Sequence, residues 1–165
     1  MELPVEAYID IETTGLSPWE CDITVIGFYI CSGNGEDCIQ LVGKDITRAD
    51  ILNTLDGVDT IYTYNGQRFD LPFINHHLDV NLADLYDHCD LMFHCWRNNL
   101  RGGLKSVEKQ LGIQRELTEV NGRMAIGLWY RYLYSADMEA LDTLLRYNRE
   151  DVVNLKTLKE VLFDL

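Results

Sequence analysis

The stretch Val5-Glu6-Ala7-Tyr8-Ile9-Asp10-Ile11-Glu12-Thr13-Thr14-Gly15-Leu16 decides how this chain is read. Its first seven residues are rich in strand formers, and Thr14-Gly15-Leu16-Ser17-Pro18 ends the strand with turn chemistry. Alternate side chains of a strand share a face. Asp10 and Glu12 therefore point one way, at the strand's end, and Ile9 and Ile11 point the other. Two like charges ~4 Å apart repel by about 4 kcal/mol at an effective dielectric of ~20. A neutralising cation relieves that repulsion; plain solvation of both acids at a strand terminus is the alternative.

Working outward, Ile23 to Cys31 is almost wholly apolar and reads as a buried strand. Ser32-Gly33-Asn34-Gly35 is turn chemistry, with Cys38 to Val42 as the return strand of a hairpin. Thr47 to Leu52 reads as a helix start, and Thr60 to Tyr64 as a further strand broken by Asn65-Gly66. A short helix is predicted over 71–77, with Pro72 tolerated in its first turn. The C-terminal third reads as helical. Leu141, Leu144, Leu145, Val152, Leu155, Leu158 and Leu162 follow the spacing of one buried stripe, and Asp137 is a candidate N-cap. Strands first, then a long closing helix, suggest a mixed sheet with helices on its faces. The 165 residues form one domain's worth of chain, without internal repeat or linker.

Two more acids stand out. In Tyr64-Asn65-Gly66-Gln67-Arg68-Phe69-Asp70, Asp70 falls at a helix N-terminus, where an acid is favoured in any case. In Tyr147-Asn148-Arg149-Glu150-Asp151, Tyr147 and Asp151 are four apart and share a helical face. Asp151 borders the apolar stripe, so its charge needs a partner or a metal.

The net charge of −13 is unusual for a nucleic-acid binder, and the first 43 residues contain no Lys or Arg. Most of these acids form a solubilising surface, but acids clustered around divalent cations would let a polyanion approach. The one basic stretch, residues 97–115, carries Arg97, Arg101, Lys105, Lys109 and Arg115 against Glu108. It reads as a loop leading into a helix and as a phosphate-contacting segment, or else as a solvated helix face. His88-Cys89 and His94-Cys95 match no closed zinc module. Five cysteines without CxxC spacing argue for reduced thiols and a cytoplasmic protein. No apolar run is long enough to span a membrane, and no secretory signal opens the chain.

Taken together and in order, Asp-x-Glu-Thr-Thr-Gly-Leu, Tyr-Asn-Gly-x-x-Phe-Asp-x-Pro and Tyr-x-x-x-Asp resemble the three exonuclease motifs of the DnaQ-like superfamily. The chain is most similar to its YprB-like, ribonuclease-H-like branch, and Leu104 to Gly112 between the second and third motifs takes part in the resemblance. The resemblance implies an α/β, ribonuclease-H-like mixed β-sheet flanked by α-helices, and a metal-dependent 3′-5′ exonuclease. It implies a site for two ions built from Asp10, Glu12, Asp70 and Asp151. The first Asp would bridge both ions, Glu12 and Asp151 would complete one, and Asp70 would hold the other. The Tyr-x-x-x-Asp spacing resembles the family's tyrosine subtype, and by that resemblance Tyr147 would orient the attacking water. Thr13, Thr14 and Leu16 match positions that touch the terminal nucleotide, and Asn65, Arg97, Arg101 and Lys105 complete the expected substrate contacts. An all-oxygen ligand set suits Mg²⁺ or Mn²⁺. The expected partner is nucleic acid, as a single strand or a 3′ end, and the sequence does not choose between DNA and RNA. An endonuclease on the same fold, or a catalytically silent metal- or nucleic-acid-binding module, is the alternative.

Overall fold

The computed structural model describes residues 1–165. Five strands form one sheet: β1 (Glu6–Thr13), β2 (Ile23–Ser32), β3 (Gly35–Val42), β4 (Thr60–Thr63) and β5 (Asp87–Asp90). Their order across the sheet is β3-β2-β1-β4-β5. The first three form an antiparallel meander, while β4 and β5 run parallel to β1. The β2–β3 hairpin is tighter than expected, because Ser32 already pairs with Gly35 and β3 starts three residues before Cys38. Strand β1 is central, so both of its edges are paired, and helices cover both of its faces.

Those faces sort as strand alternation requires. Ala7, Ile9 and Ile11 join Ile26, Phe28 and Ile61 in one core under the helices α1 (Arg48–Thr54), α2 (Asp70–Leu78) and α3 (Leu82–Leu85). On the opposite face Tyr8 stacks on Tyr62 with centroids 5.1 Å apart. That face is covered by α4 (Leu91–Arg97), α5 (Leu104–Leu111), α6 (Gly122–Ser135) and the long α7 (Met138–Phe163).

Helix α7 begins as the sequence predicts: the side chain of Asp137 accepts a hydrogen bond from the Ala140 N–H at 3.0 Å. Its buried stripe runs Leu144, Tyr147, Asn148, Asp151, Val152, Leu155, Leu158 and Leu162. The lower half of this stripe packs on Tyr8, and the upper half meets Val25 and α6. Between them the stripe is polar, at 147, 148 and 151, where the helix passes the end of β1 that carries Asp10. Strand β5 and helices α3 and α4 are elements that the sequence pattern does not announce, and α6 is a separate helix within the C-terminal third. No helix is long and apolar enough to cross a membrane.

Candidate metal centre

The site lies beyond the carboxyl ends of the parallel strands, where open α/β sheets place their ligands. Strand β1 brings Asp10 and Glu12 to one face. A β-bulge at Glu12/Thr13 shifts the register against β2, since Glu12 pairs with Val25 but Thr13 with Ile23. Bulges of this kind re-aim side chains next to active sites. Asp70 comes from the first turn of α2, directly after β4, and Asp151 comes from the middle of α7.

Asp10, Glu12 and Asp151 meet: one carboxylate oxygen from each lies within 4.8 Å of the other two. Glu12 and Asp151 are buried and Asp10 is partly exposed. Asp70 stands outside this trio. Its Oδ2 accepts the backbone N–H of Ile11 at 3.1 Å, which fixes it beside the β1 residue that separates Asp10 from Glu12.

Burial first, and then mutual repulsion, raises the pKa values of the group. Asp10 is pushed well above the ordinary carboxylate range by burial and by the charges of Asp151, Glu12 and Asp70. Glu12 is raised in the same way by burial and by Asp151. Asp70 is pushed up to about 7 by burial, against the opposing hydrogen bond from Ile11. Asp151 is raised by burial, opposed by the Arg115 charge. Four carboxylates held this way are an arrangement that a divalent cation would neutralise, and an all-oxygen donor set of this kind fits a hard cation.

Two contacts hold these carboxylates in place. Asn148, fully buried, donates from Nδ2 to the Asp10 backbone oxygen at 3.1 Å and to its carboxylate Oδ2 at 3.3 Å. Gln40 Nε2 donates in turn to Asn148 Oδ1 at 3.0 Å and to the Leu145 carbonyl at 2.7 Å. This amide fits only because residue 27 is glycine: a Cβ there would lie 2.1 Å from Asn148 Oδ1. Asn148 sits on the apolar stripe between Leu144 and Val152, and that position was the available signal that its amide points inward.

The second contact is Arg115. The sequence places it in a phosphate-contacting stretch, but its side chain is only 5% exposed. It forms a two-pronged bond with Glu108 (Nε–Oε2 2.8 Å, Nη2–Oε1 2.7 Å), and Nη2 also donates to Asp151 Oδ1 at 2.5 Å. Arg115 is therefore an internal counter-charge to Asp151 and is closed to substrate.

The remaining predicted residues divide between the site and its rim. Tyr147 is buried beside Asp151, its ring facing Lys105 Nζ at 4.5 Å and Arg115 Cζ at 5.8 Å. Lys105 also donates to the Val120 carbonyl, so it stands at the edge of the acidic group and not on a free helix face. Thr13 Oγ1 donates to the Gly15 carbonyl at 2.6 Å, and Thr14 Oγ1 accepts from the Asp22 N–H at 2.9 Å; both hydroxyls shape the β1–β2 turn. That turn presents Leu16 to solvent, 86% exposed. Asn65 adopts a left-handed φ of 60°, and its Oδ1 is buried without a partner. Arg97 and Arg101 are on the surface.

One organising residue carries no motif signal. Asp90 is buried and accepts three backbone N–H groups, from Asn65 (2.8 Å), Gln67 (3.1 Å) and Met92 (3.1 Å). It ties the loop before Asp70 to the start of α4.

A model of the RNase H superfamily matches residues 7–163. No curated protein matches the chain. Among solved structures, the chain is similar to the family B DNA polymerase of the hyperthermophilic archaeon Pyrobaculum calidifontis, at TM-score 0.72 and 18% identity, over 98% of this chain and 25% of that one. It is also similar to Brucella melitensis NrnC with bound Mg²⁺, at TM-score 0.62 and 24% identity, over 96% of this chain and 72% of the other. NrnC bound to pGG gives TM-score 0.61 and 24% identity, over 95% and 71% of the two chains. At these identities the likeness is one of fold. This chain spans a quarter of the polymerase's length.

Proposed function

The chain belongs to the RNase H superfamily, and from that premise we propose that it is a metal-dependent 3′-5′ exonuclease acting on phosphodiester bonds of nucleic acid. The observation that carries this reading is the meeting of Asp10, Glu12 and Asp151 within 4.8 Å at the end of the central strand, with Glu12 and Asp151 buried and Asp10 partly exposed. Buried carboxylates repelling one another are costly unless a cation joins them. Asp10, Glu12 and Asp151 would hold one Mg²⁺ or Mn²⁺, and Asp70 with Asp10 a second. Bound there, such ions activate the attacking water and stabilise the leaving 3′ oxygen. That NrnC was solved with Mg²⁺ and with pGG supports the same class of ligands here.

The chain's own residues supply position. Asn148 turns the Asp10 carboxylate by holding one of its oxygens. Arg115 takes one oxygen of Asp151 and leaves the other to the site. The Tyr147 hydroxyl orients the water. The water oxygen bonds to phosphorus, the P–O3′ bond breaks, a proton leaves the water, and the departing 3′ oxygen gains one. Leu16, exposed on the turn beside Glu12, is placed to meet the terminal base.

The test is a metal titration with an end-labelled linear oligonucleotide and its covalently closed circular form. Stepwise shortening of the linear strand from its 3′ end, with the circle intact, is the expected result. Cutting of the circle would instead identify an endonuclease. Absence of metal-dependent hydrolysis of either form would leave a silent binding module.

A further inference from the structure

Half of the 14 Lys and Arg residues are in ion pairs: Lys44, Arg48, Arg115, Arg131, Arg146, Lys156 and Lys159. Of the other seven, five lie on the segment from the loop before Asp70 through α5, namely Arg68, Arg97, Arg101, Lys105 and Lys109. In a chain of net charge −13, that stretch holds most of the cations which no carboxylate has claimed.

Two of them are held by aromatic rings. Arg68 Cζ lies 5.4 Å from the Phe93 ring centroid and 5.4 Å from that of Trp96. Arg101 Cζ lies 5.9 Å from the Trp96 centroid. Phe93 and Trp96, three apart on α4, meet edge to face at 5.3 Å. Neither guanidinium is engaged in a salt bridge, and both residues are exposed, so their N–H donors face solvent. A guanidinium laid against a ring keeps its charge and its donors, while the ring limits its motion.

The cluster is anchored to the catalytic side of the fold. Arg68 is two residues before Asp70. The carboxylate of Asp90 binds the loop carrying Arg68, through the Asn65 and Gln67 N–H groups, and also caps the helix carrying Phe93 and Trp96. The Tyr64 hydroxyl donates to the Gly102 carbonyl at 2.6 Å and so pins the loop next to Arg101 against the end of β4. Two stretches of chain, residues 64–68 and 90–102, are thus locked into one basic-aromatic surface.

We propose that this Arg68–Trp96–Arg101 surface is the track for single-stranded nucleic acid leading into the acidic site, a reading that rests on the nuclease assignment. Phosphates would pair with the two guanidinium groups, and unpaired bases would rest on the exposed parts of the Phe93 and Trp96 rings. Interleaved cations and aromatic rings are what a single strand requires, because a duplex hides its base faces. The track also explains how a polyanion reaches four carboxylates: it arrives along the stretch that holds five of the seven cations outside ion pairs.

The test uses Asp10→Asn protein, which blocks hydrolysis, and reads the binding of a fluorescein-labelled 12-nucleotide single strand by anisotropy across a salt series. A 12-base-pair blunt duplex runs in parallel. Each phosphate contact on a single strand contributes about 0.7 to the slope of log K against log salt. Adding Arg68→Gln and Arg101→Gln should therefore lower the slope by about 1.4 and weaken binding. The same two substitutions in wild-type Asp10 protein should leave the metal-induced rise in melting temperature in place. An unchanged slope and affinity would overturn the track, as would duplex binding as tight as single-strand binding. Wild-type hydrolysis, followed separately, distinguishes this failure from that of the nuclease reading. If hydrolysis persists while the slope is unmoved, only the track is wrong.

Discussion

Arg115 offers the most informative single perturbation. Its guanidinium bridges two buried acids, Glu108 at 2% and Asp151 at 7% exposure, through bonds of 2.5–2.8 Å. Arg115→Met keeps the length and apolar stem and removes only the charge and donors. Glu108 has no other side-chain partner, so it is left buried and alone. Removing one member of a buried ion pair costs ~3–5 kcal/mol. In a domain of this size that is roughly 6–20 °C in melting temperature. The assay is thermal and urea unfolding at pH 7 in chelator, repeated in saturating Mg²⁺. Because the vacated oxygen of Asp151 can then serve a cation, Mg²⁺ should restore more stability to Arg115→Met than to wild type. Adding Glu108→Gln removes the orphaned charge and should recover part of the loss, a coupling that a double-mutant cycle reads directly. A loss under ~1 kcal/mol would put this triad on a par with an exposed surface pair and refute the argument.

Gly27→Ala should cost about 1–3 kcal/mol, since its Cβ would lie 2.1 Å from Asn148 Oδ1 and overpacking is felt at that scale; it should also weaken Mg²⁺ binding measured by calorimetry, and unchanged values for both would remove Asn148 from the site's support. Tyr147→Phe keeps the ring and should retain the metal-induced melting shift while single-turnover rate falls ~10²–10⁴-fold, a typical loss for a proton-transfer or positioning group. Asp151→Asn should lose both, and equal behaviour of the two variants would erase the distinction between water-orienting and ligating roles. Metal-free stability should fall between pH 6.5 and 8. Asp70, pushed up to about 7, and the raised Asp10, Glu12 and Asp151 all hold protons more tightly folded than unfolded. Their stabilisation is therefore present at low pH and lost as pH climbs through the folded values. His88 and His94, lowered by burial, act in the opposite sense, but only below about 6.5. Melting curves in chelator that are flat or rising from pH 6.5 to 8, or a fall that Mg²⁺ does not reduce, would contradict this.

The parts of the fold that sequence shows are those with a strong period. Ile9 and Ile11 against Asp10 and Glu12 follow period two, and the α7 stripe follows the helical repeat; both appear in the structure, except that Leu141 and Leu145 of the stripe are only partly buried. The ribonuclease-H-like α/β architecture rests on these and on the three motifs. Strand β5 is different, because Asp87-His88-Cys89-Asp90 has no apolar alternation. It is a strand only through its pairing with β4, Thr60 opposite Asp87 and Thr63 opposite Asp90. Asp90 is silent for the same reason: its three N–H partners lie up to 25 residues away. The basic stretch misleads over Arg115 because charge along the chain says nothing of the acid met in space. Its Asp151 contact spans 36 residues, and the Glu108 contact that completes burial depends on α5 being amphipathic.

The polar break in α7 explains why one helix can both close the core and build a reactive site. Three consecutive stripe positions, 147, 148 and 151, replace apolar contacts with groups that burial penalises unless they are paired. Asn148 meets that condition at both ends of its amide, donating to Asp10 and accepting from Gln40. Asp151 meets it through Arg115 on one oxygen. Tyr147 differs: its hydroxyl makes no hydrogen bond within the protein and keeps contact with solvent. Its ring lies between two cations, Lys105 and Arg115, and its ionisation is suppressed by burial and by the Asp151 charge. A phenol that stays protonated, is fixed by packing, and has its oxygen open beside three carboxylates can hold a water by a hydrogen bond but cannot act there as a base. On the proposed reading, the paired groups of the stripe would fix the metal-holding carboxylates, and Tyr147, unpaired, would be left to meet the reactant.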